Sequence, residues 1–190
     1  GEGNVNMFAG WTGTAPLGVT TDIDFARLSS GEFGDWGQNG GDVVINGAAV
    51  NAVSVGSAGG QTNAFGDRVI VSGGNGNDMF GQLGFLKVGD LASGDVKGDI
   101  NIQAKGDIRL SSIFGDISGG GRNDSHVLVG HGGSGNNQQT AAQRPGDNDI
   151  SGNISVISEG GSIFMHGGND RSWVQVCHGC DGVVGDKDGT

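Results

Sequence analysis

At 190 residues, with 42 glycines but only 2 prolines, the chain is long enough for a domain with its own core, and its composition excludes collagen and proline-rich stalks. The excess of 21 acidic over 10 basic side chains, a net charge of −11, excludes the cationic footprint that nucleic acid or an anionic lipid surface demands. No stretch approaches the roughly eighteen apolar residues of a membrane-spanning helix.

Residues 1–40 are the least regular part, with Phe8, Trp11, Phe25, Phe33 and Trp36 among small and polar residues. Asp22 to Leu28 offers one helical turn at most. These aromatics either plug one end of a core or act as ordinary core residues between wide loops, and the second is preferred. From Val43 onward, short β-branched bursts alternate with period two, the signature of strands. They are Val43–Ile45, Val53–Val55, Val69–Val71, Ile100–Ile102, Ile108–Leu110, Val127–Val129, Ile154–Val156, Ile163–Met165 and Val174–Val176. Glycine, asparagine and aspartate fill the gaps, as tight turns require. The longest gap, 132–149, is expected to project as a loop. The sequence thus predicts a single all-β domain over 1–190. The start at Gly1 and the linker-like close at 185–190 fit a mature product, a proteolytic fragment or a part of a longer repeat protein.

The bursts recur as a unit. Gly98-Asp99-Ile100-Asn101-Ile102 is matched by Gly152-Asn153-Ile154-Ser155-Val156, and Gly106–Leu110 by Gly161–Met165. Ser125–Gly132 is matched by Ser172–Gly179. A weaker copy begins at Gly41-Asp42-Val43. Starts at Gly41, Gly98 and Gly152 give a unit of roughly 55 residues. Several short strands in such a unit fit a parallel β-solenoid better than a hairpin-based sandwich. Ile100, Ile102, Ile154 and Val156 are expected to face the core, with Asn101 and Ser155 facing out. Turns of about 20–25 residues would give about eight turns and a rod of about 40 Å. On that count the aligned His131 and His178 do not fall on adjacent turns.

Val129-Gly130-His131-Gly132-Gly133, followed by Ser151-Gly152-Asn153-Ile154-Ser155-Val156 and Gly160-Gly161-Ser162-Ile163, resembles the repeats of filamentous-haemagglutinin-type secreted adhesins. The likeness covers roughly Gly94 to Gly182, with a fainter echo from Gly41 to Gly76. It implies a right-handed parallel β-helix and an extracellular or cell-surface rod segment, and it supplies no catalytic residue. The chain departs from the pattern where Cys177 and Cys180 replace glycines.

Cys177 and Cys180 are the only cysteines, and a disulfide between them is the preferred reading. A metal site would need more ligands than Cys-His-Gly-Cys offers, and a thioredoxin-like role would need a helix that is not predicted. Gly73-Gly74-Asn75-Gly76-Asn77-Asp78-Met79-Phe80 matches one calcium-binding nonapeptide, with Asn75, Asn77 and Asp78 as candidate ligands. A plain β-turn is the favoured reading of the same residues, and no other cofactor is suggested. Asp99, Asp107 and Asp116 are candidate catalytic acids in a chain where acids are common, and Asp99 and Asp107 open strands at corners, where capping of turns is the simpler role. No enzyme is predicted. The expected function is structural or adhesive, with end-to-end self-association or contact with other cell-surface components. A carbohydrate-binding or polysaccharide-degrading β-helix with a glycan ligand, and a calcium-dependent module, are the alternatives.

Overall fold

The computed structural model describes residues 3–11, 36, 40–47, 52–74, 79–86, 95–112, 125–132, 150–168, 172–178 and 187–188. The described chain winds through successive turns. Turn 1 holds β1 (Val5–Phe8), β2 (Asp42–Asn46) and β3 (Val53–Val55). Turn 2 holds β4 (Thr62–Gly66), β5 (Arg68–Ser72), β6 (Gly81–Leu83) and β7 (Val96–Lys97). Turn 3 holds β8 (Ile100–Ala104), β9 (Ile108–Ser111), β10 (Val127–Val129) and β11 (Ile150–Ser151). Turn 4 holds β12 (Ile154–Ser158), β13 (Ile163–His166), β14 (Val174–Val176) and β15 (Lys187–Asp188). Each strand pairs with its equivalent one turn away, always in parallel. This gives sheet 1 (β1-β4-β8-β12), sheet 2 (β2-β5-β9-β13), sheet 3 (β3-β6-β10-β14) and sheet 4 (β7-β11-β15). The fold is a right-handed parallel β-helix: the repeated bursts predict the parallel coil, the resemblance implies its hand, and that hand is the one parallel crossovers favour.

The backbone ladder runs from turn to turn. Val5 N–H donates to the Gln61 carbonyl, Thr62 N–H to Asp99 and Ile100 N–H to Asn153, each at 2.8 Å. Inward side chains stack in the same register: Ala64 on Ile102 and Ile102 on Val156 in sheet 1, Val71 on Leu110 in sheet 2, Leu83 on Val129 in sheet 3. These belong to one apolar core with Val43, Ile45, Val69, Ile100, Ile108 and Val127. Complete burial of such a side chain stabilises by about 1.5–3 kcal/mol.

The turns are longer and fewer than expected. From β2 to β5 the pairing Asp42↔Arg68 advances 26 residues, and from β1 to β4 the pairing Asn6↔Asn63 advances 57. The first of these is close to the expected length, but from turn 3 to turn 4 Asp99 and Asn153 are 54 residues apart and Asp107 and Ser162 are 55, so the 55-residue unit is itself one turn, not several. The described strands make four layers, about 14 Å from first to last at strand spacing. Residues added between strands widen a turn without adding a layer, so chain length overstated the number of layers. The weak repeat copy was also out of phase by one strand. Gly41-Asp42-Val43 belongs to sheet 2 with Gly106-Asp107-Ile108, while the true equivalent of Gly98 is Gly60. Both corners begin Gly-Asp followed by a β-branched residue, which is why the phase was ambiguous.

Gly60, Gly98 and Gly152 stack at the corner that feeds sheet 1. Gly98 and Gly152 have φ of +136°, and a Cβ on Gly98 would lie 2.1 Å from the Gly60 carbonyl oxygen. Both the conformation and the close approach exclude a side chain. Gly98→Ala is expected to cost about 2 kcal/mol or more. Urea unfolding of the variant against the parent measures it, and an unchanged midpoint would contradict the corner geometry.

Candidate binding face

The three long sheets differ in what their outer faces meet. On sheet 1, Asn63 and Phe65 point away from the core, yet both are fully buried. Phe65 packs on Phe8 with ring centroids 5.9 Å apart and receives Trp36 edge-on at 5.0 Å. Trp36 thus neither plugs the core nor joins a strand: it covers the outside of a sheet, with Lys105 Nζ 4.4 Å from its ring centroid. Asn101 faces outward as expected but is only 6% exposed. Its Nδ2 donates to Asn63 Oδ1, and Asn63 Nδ2 donates to Asn6 Oδ1, both at 2.8 Å, so each buried amide satisfies the next.

On sheet 3 the outward Gln82 and Leu128 are also buried. Gln82 Nε2 donates to the Gly130 carbonyl at 2.8 Å and lies 3.1 Å from that of Gly132. At the start of this sheet, Phe80, His126 and Trp173 stack over three turns, with centroids 5.1 and 4.3 Å apart. At its end, His131 and His178 stack at 5.0 Å with planes 8° apart. The expectation that these two histidines fall on non-adjacent turns is corrected: their spacing of 47 residues is one whole turn.

Sheet 2 is different, because its outer face is open. Val44, Ile70, Arg109 and Phe164 occupy one row across it, in register. Val44 is 55% exposed and Phe164 48%, and the Arg109 guanidinium lies 5.3 Å from the Phe164 ring centroid. On one side runs a charged row. Arg68 Nε donates to Asp42 Oδ1 at 3.0 Å, and Arg109 Nη2 donates to Asp107 Oδ2 at 3.0 Å. The Ser162 N–H and then Arg109 hold the Asp107 carboxyl below its ordinary pKa, while Asp42 raises that of Arg68. On the other side runs a polar row of Asn46, Ser72, Ser111 and His166, with the Ser72 hydroxyl donating to Asn46 Oδ1 at 3.0 Å. Beyond the charged edge, Glu159 accepts from Lys105 Nζ at 2.8 Å and Gln103 Nε2 at 2.6 Å, which lowers its pKa through Lys105 first. The whole is a strip whose centre holds Val44, Ile70 and Phe164 with Arg109 among them, between polar margins.

The candidate calcium ligands Asn75, Asn77 and Asp78 lie outside the described residues, as do Cys180, Asp116, the segment 133–149 and most of 1–40. At the base of the nonapeptide, Gly74 N–H donates to the Met79 carbonyl at 2.6 Å, and Ser125 Oγ lies within hydrogen-bond distance of both the Gly74 and Met79 carbonyls. Among the described residues no three potential metal ligands gather. Cys177 is disulfide-bonded. Asp99 and Asp107 cap the following turn, with their Oδ1 atoms accepting from Asn153 N–H at 2.9 Å and Ser162 N–H at 3.1 Å. The outer face of sheet 2 went unremarked in the sequence. Its signal was the outward position of successive sheet-2 strands, where Val44, Ile70 and Phe164 are apolar, but reading it requires the register.

The chain matches no protein-family model, no curated protein and no solved structure. Its class, a parallel β-helix, rests on its own strand pairing.

The two kinds of outer face should respond differently to truncation. Phe65→Ala is expected to cost about 3–5 kcal/mol, because it empties a fully buried site. Phe164→Ala should stay within about 1 kcal/mol of the parent. Equal losses for the two in denaturant unfolding would contradict the contrast.

Proposed function

We propose that the chain is a structural or adhesive segment of an extracellular rod, of the kind its resemblance to filamentous-haemagglutinin-type repeats implies. The observation that carries this reading is the combination of a repetitive parallel stack with an exposed apolar and aromatic row on the outer face of sheet 2. In turns 2 and 3 the outward Asn63, Phe65, Asn101, Gln82 and Leu128 of sheets 1 and 3 are buried, which braces the stack and presents the strip on sheet 2 in a fixed orientation. Contact with cell-surface components falls on this strip, where exposed apolar and aromatic groups supply area and the charged margins supply selectivity.

Self-association falls at a different place. Ile163 and Met165 stack inward on Ile108 and Leu110 but are 45% and 52% exposed, because no described strand lies on their far side. In turn 1 the equivalent Val43 and Ile45 are buried. Among the described residues turn 4 therefore offers both an apolar surface and strand edges with no further strand beside them for an end-to-end contact. Sedimentation and electron microscopy over a range of concentrations test it. Mass and particle length should rise with concentration in the parent and not in Met165→Lys. Uniform monomers at every concentration in the parent would overturn it.

Carbohydrate binding is the second reading, favoured by Phe164 between hydrogen-bonding rows on the outer face of sheet 2. A glycan array decides it: binding lost in Phe164→Ala supports the strip as a glycan platform. No bound glycan, or binding indifferent to that change, removes this reading.

A further inference from the structure

The corner after sheet 3 contains a device that rod function does not require. Strand β6 ends at Leu83, so Phe85 N–H has left the backbone ladder. Phe85 is half-buried, and an amide shielded from water that has left the ladder gains from another acceptor. It finds one in the next turn, where His131 Nδ1 accepts from it at 2.9 Å. His131 Nε2 lies 3.0 Å from the Gly98 carbonyl oxygen. One tautomer satisfies both contacts: Nδ1 bare and accepting, Nε2 protonated and donating. The arrangement then repeats one turn further on, where His131 N–H donates to His178 Nδ1 at 3.2 Å. Each imidazole therefore closes the corner of the turn before it.

We propose that His131 and His178 form an acid-sensitive clasp, which fastens turns 2, 3 and 4 together at this corner and releases them when the imidazoles are protonated. A proton on Nδ1 removes the accepting lone pair and sets two N–H groups against each other. It does so at two successive corners, and it places two cations in a stack with centroids 5.0 Å apart. Among the described residues the titratable groups that face the pair are few. Asp99 favours the charged form of both rings, and His178 disfavours charge on His131. The neighbouring Cys177 is disulfide-bonded and does not titrate. At His131 burial outweighs the Gly98 hydrogen bond and Asp99, pushing it down to about 4 from its ordinary 6.5, and at His178 burial outweighs Asp99 and lowers it as well. The fold thus favours neutral imidazole. Its contribution is complete above the ordinary histidine pKa and is lost as pH falls from there toward 4. The partly exposed His178 meets acid first, so turn 4 loosens before turn 3.

Hydrogen exchange of the whole chain, resolved by residue, tests the clasp. Between about pH 7 and about pH 4, protection at the Phe85 and His131 amides should fall about tenfold or more, after correction for intrinsic exchange. Protection at Ile102 and Leu110 should hold. Unchanged protection at Phe85 and His131 would overturn the proposal, as would an equal loss at Ile102 and Leu110, since the whole coil would then be giving way. His131→Asn keeps an acceptor that does not titrate, so Phe85 protection in that variant should be independent of pH, and a persisting pH dependence there would also count against the clasp. If the variant does not fold, imidazole nitrogen shifts of the parent decide. His131 should show an unprotonated Nδ1 at neutral pH and titrate well below its ordinary pKa. A midpoint at or above that value overturns the assignment.

Discussion

Parallel pairing in register, turn upon turn, is the constraint from which the rest follows. It brings each residue to about 4.8 Å from its equivalents on the neighbouring turns, so every position is judged by what it can tolerate next to itself. Aliphatic inward residues meet aliphatic ones. Asn63 and Asn101 can be packed away from water because amide meets amide: Asn101 donates to Asn63, and Asn63 to the half-buried Asn6. His131 and His178, or Phe80, His126 and Trp173, gain ring stacking by the same translation. At Gly60, Gly98 and Gly152 the neighbour is backbone, and only glycine fits.

The same translation explains the contrast between faces. A row of like residues is either covered by other chain, as Phe65 is by Trp36 and Phe8, or it remains as a strip running along the stack. Sheet 2 keeps its strip. Its charges are already paired within the face, Arg68 with Asp42 and Arg109 with Asp107, which limits the cost of leaving Val44 and Phe164 in water to their own apolar area. A surface of this composition is suited to broad, shallow contact and not to enclosing a small molecule.

Much of the architecture was legible in the sequence, because a β-branched residue at every second position has few alternatives to a strand. Each burst from Val43 to Val176 lies in a strand. The strands that were missed carry a weaker signal. β1 reads Val-Asn-Met-Phe, with one β-branched residue and an alternation that stops at Met7, and β6 reads Gly-Gln-Leu, with none. β4 reads Thr-Asn-Ala-Phe-Gly and is buried on both faces, so it shows no alternation, while β7, β11 and β15 are two residues long. The number of layers was misjudged because strand content, not chain length, defines a turn. With it went the adjacency of His131 and His178, although their aligned positions were visible. The sheet-2 strip was harder to see, since Val44, Ile70, Arg109 and Phe164 come together only once the register across successive turns is known.

Turns that differ from 26 to 57 residues in length still stack with one spacing. The reach of such a rod and the size of its gene are therefore uncoupled. Inserted sequence at a corner adds girth and decoration while the distance spanned stays the same, so variants that differ in these excursions can remain interchangeable as spacers.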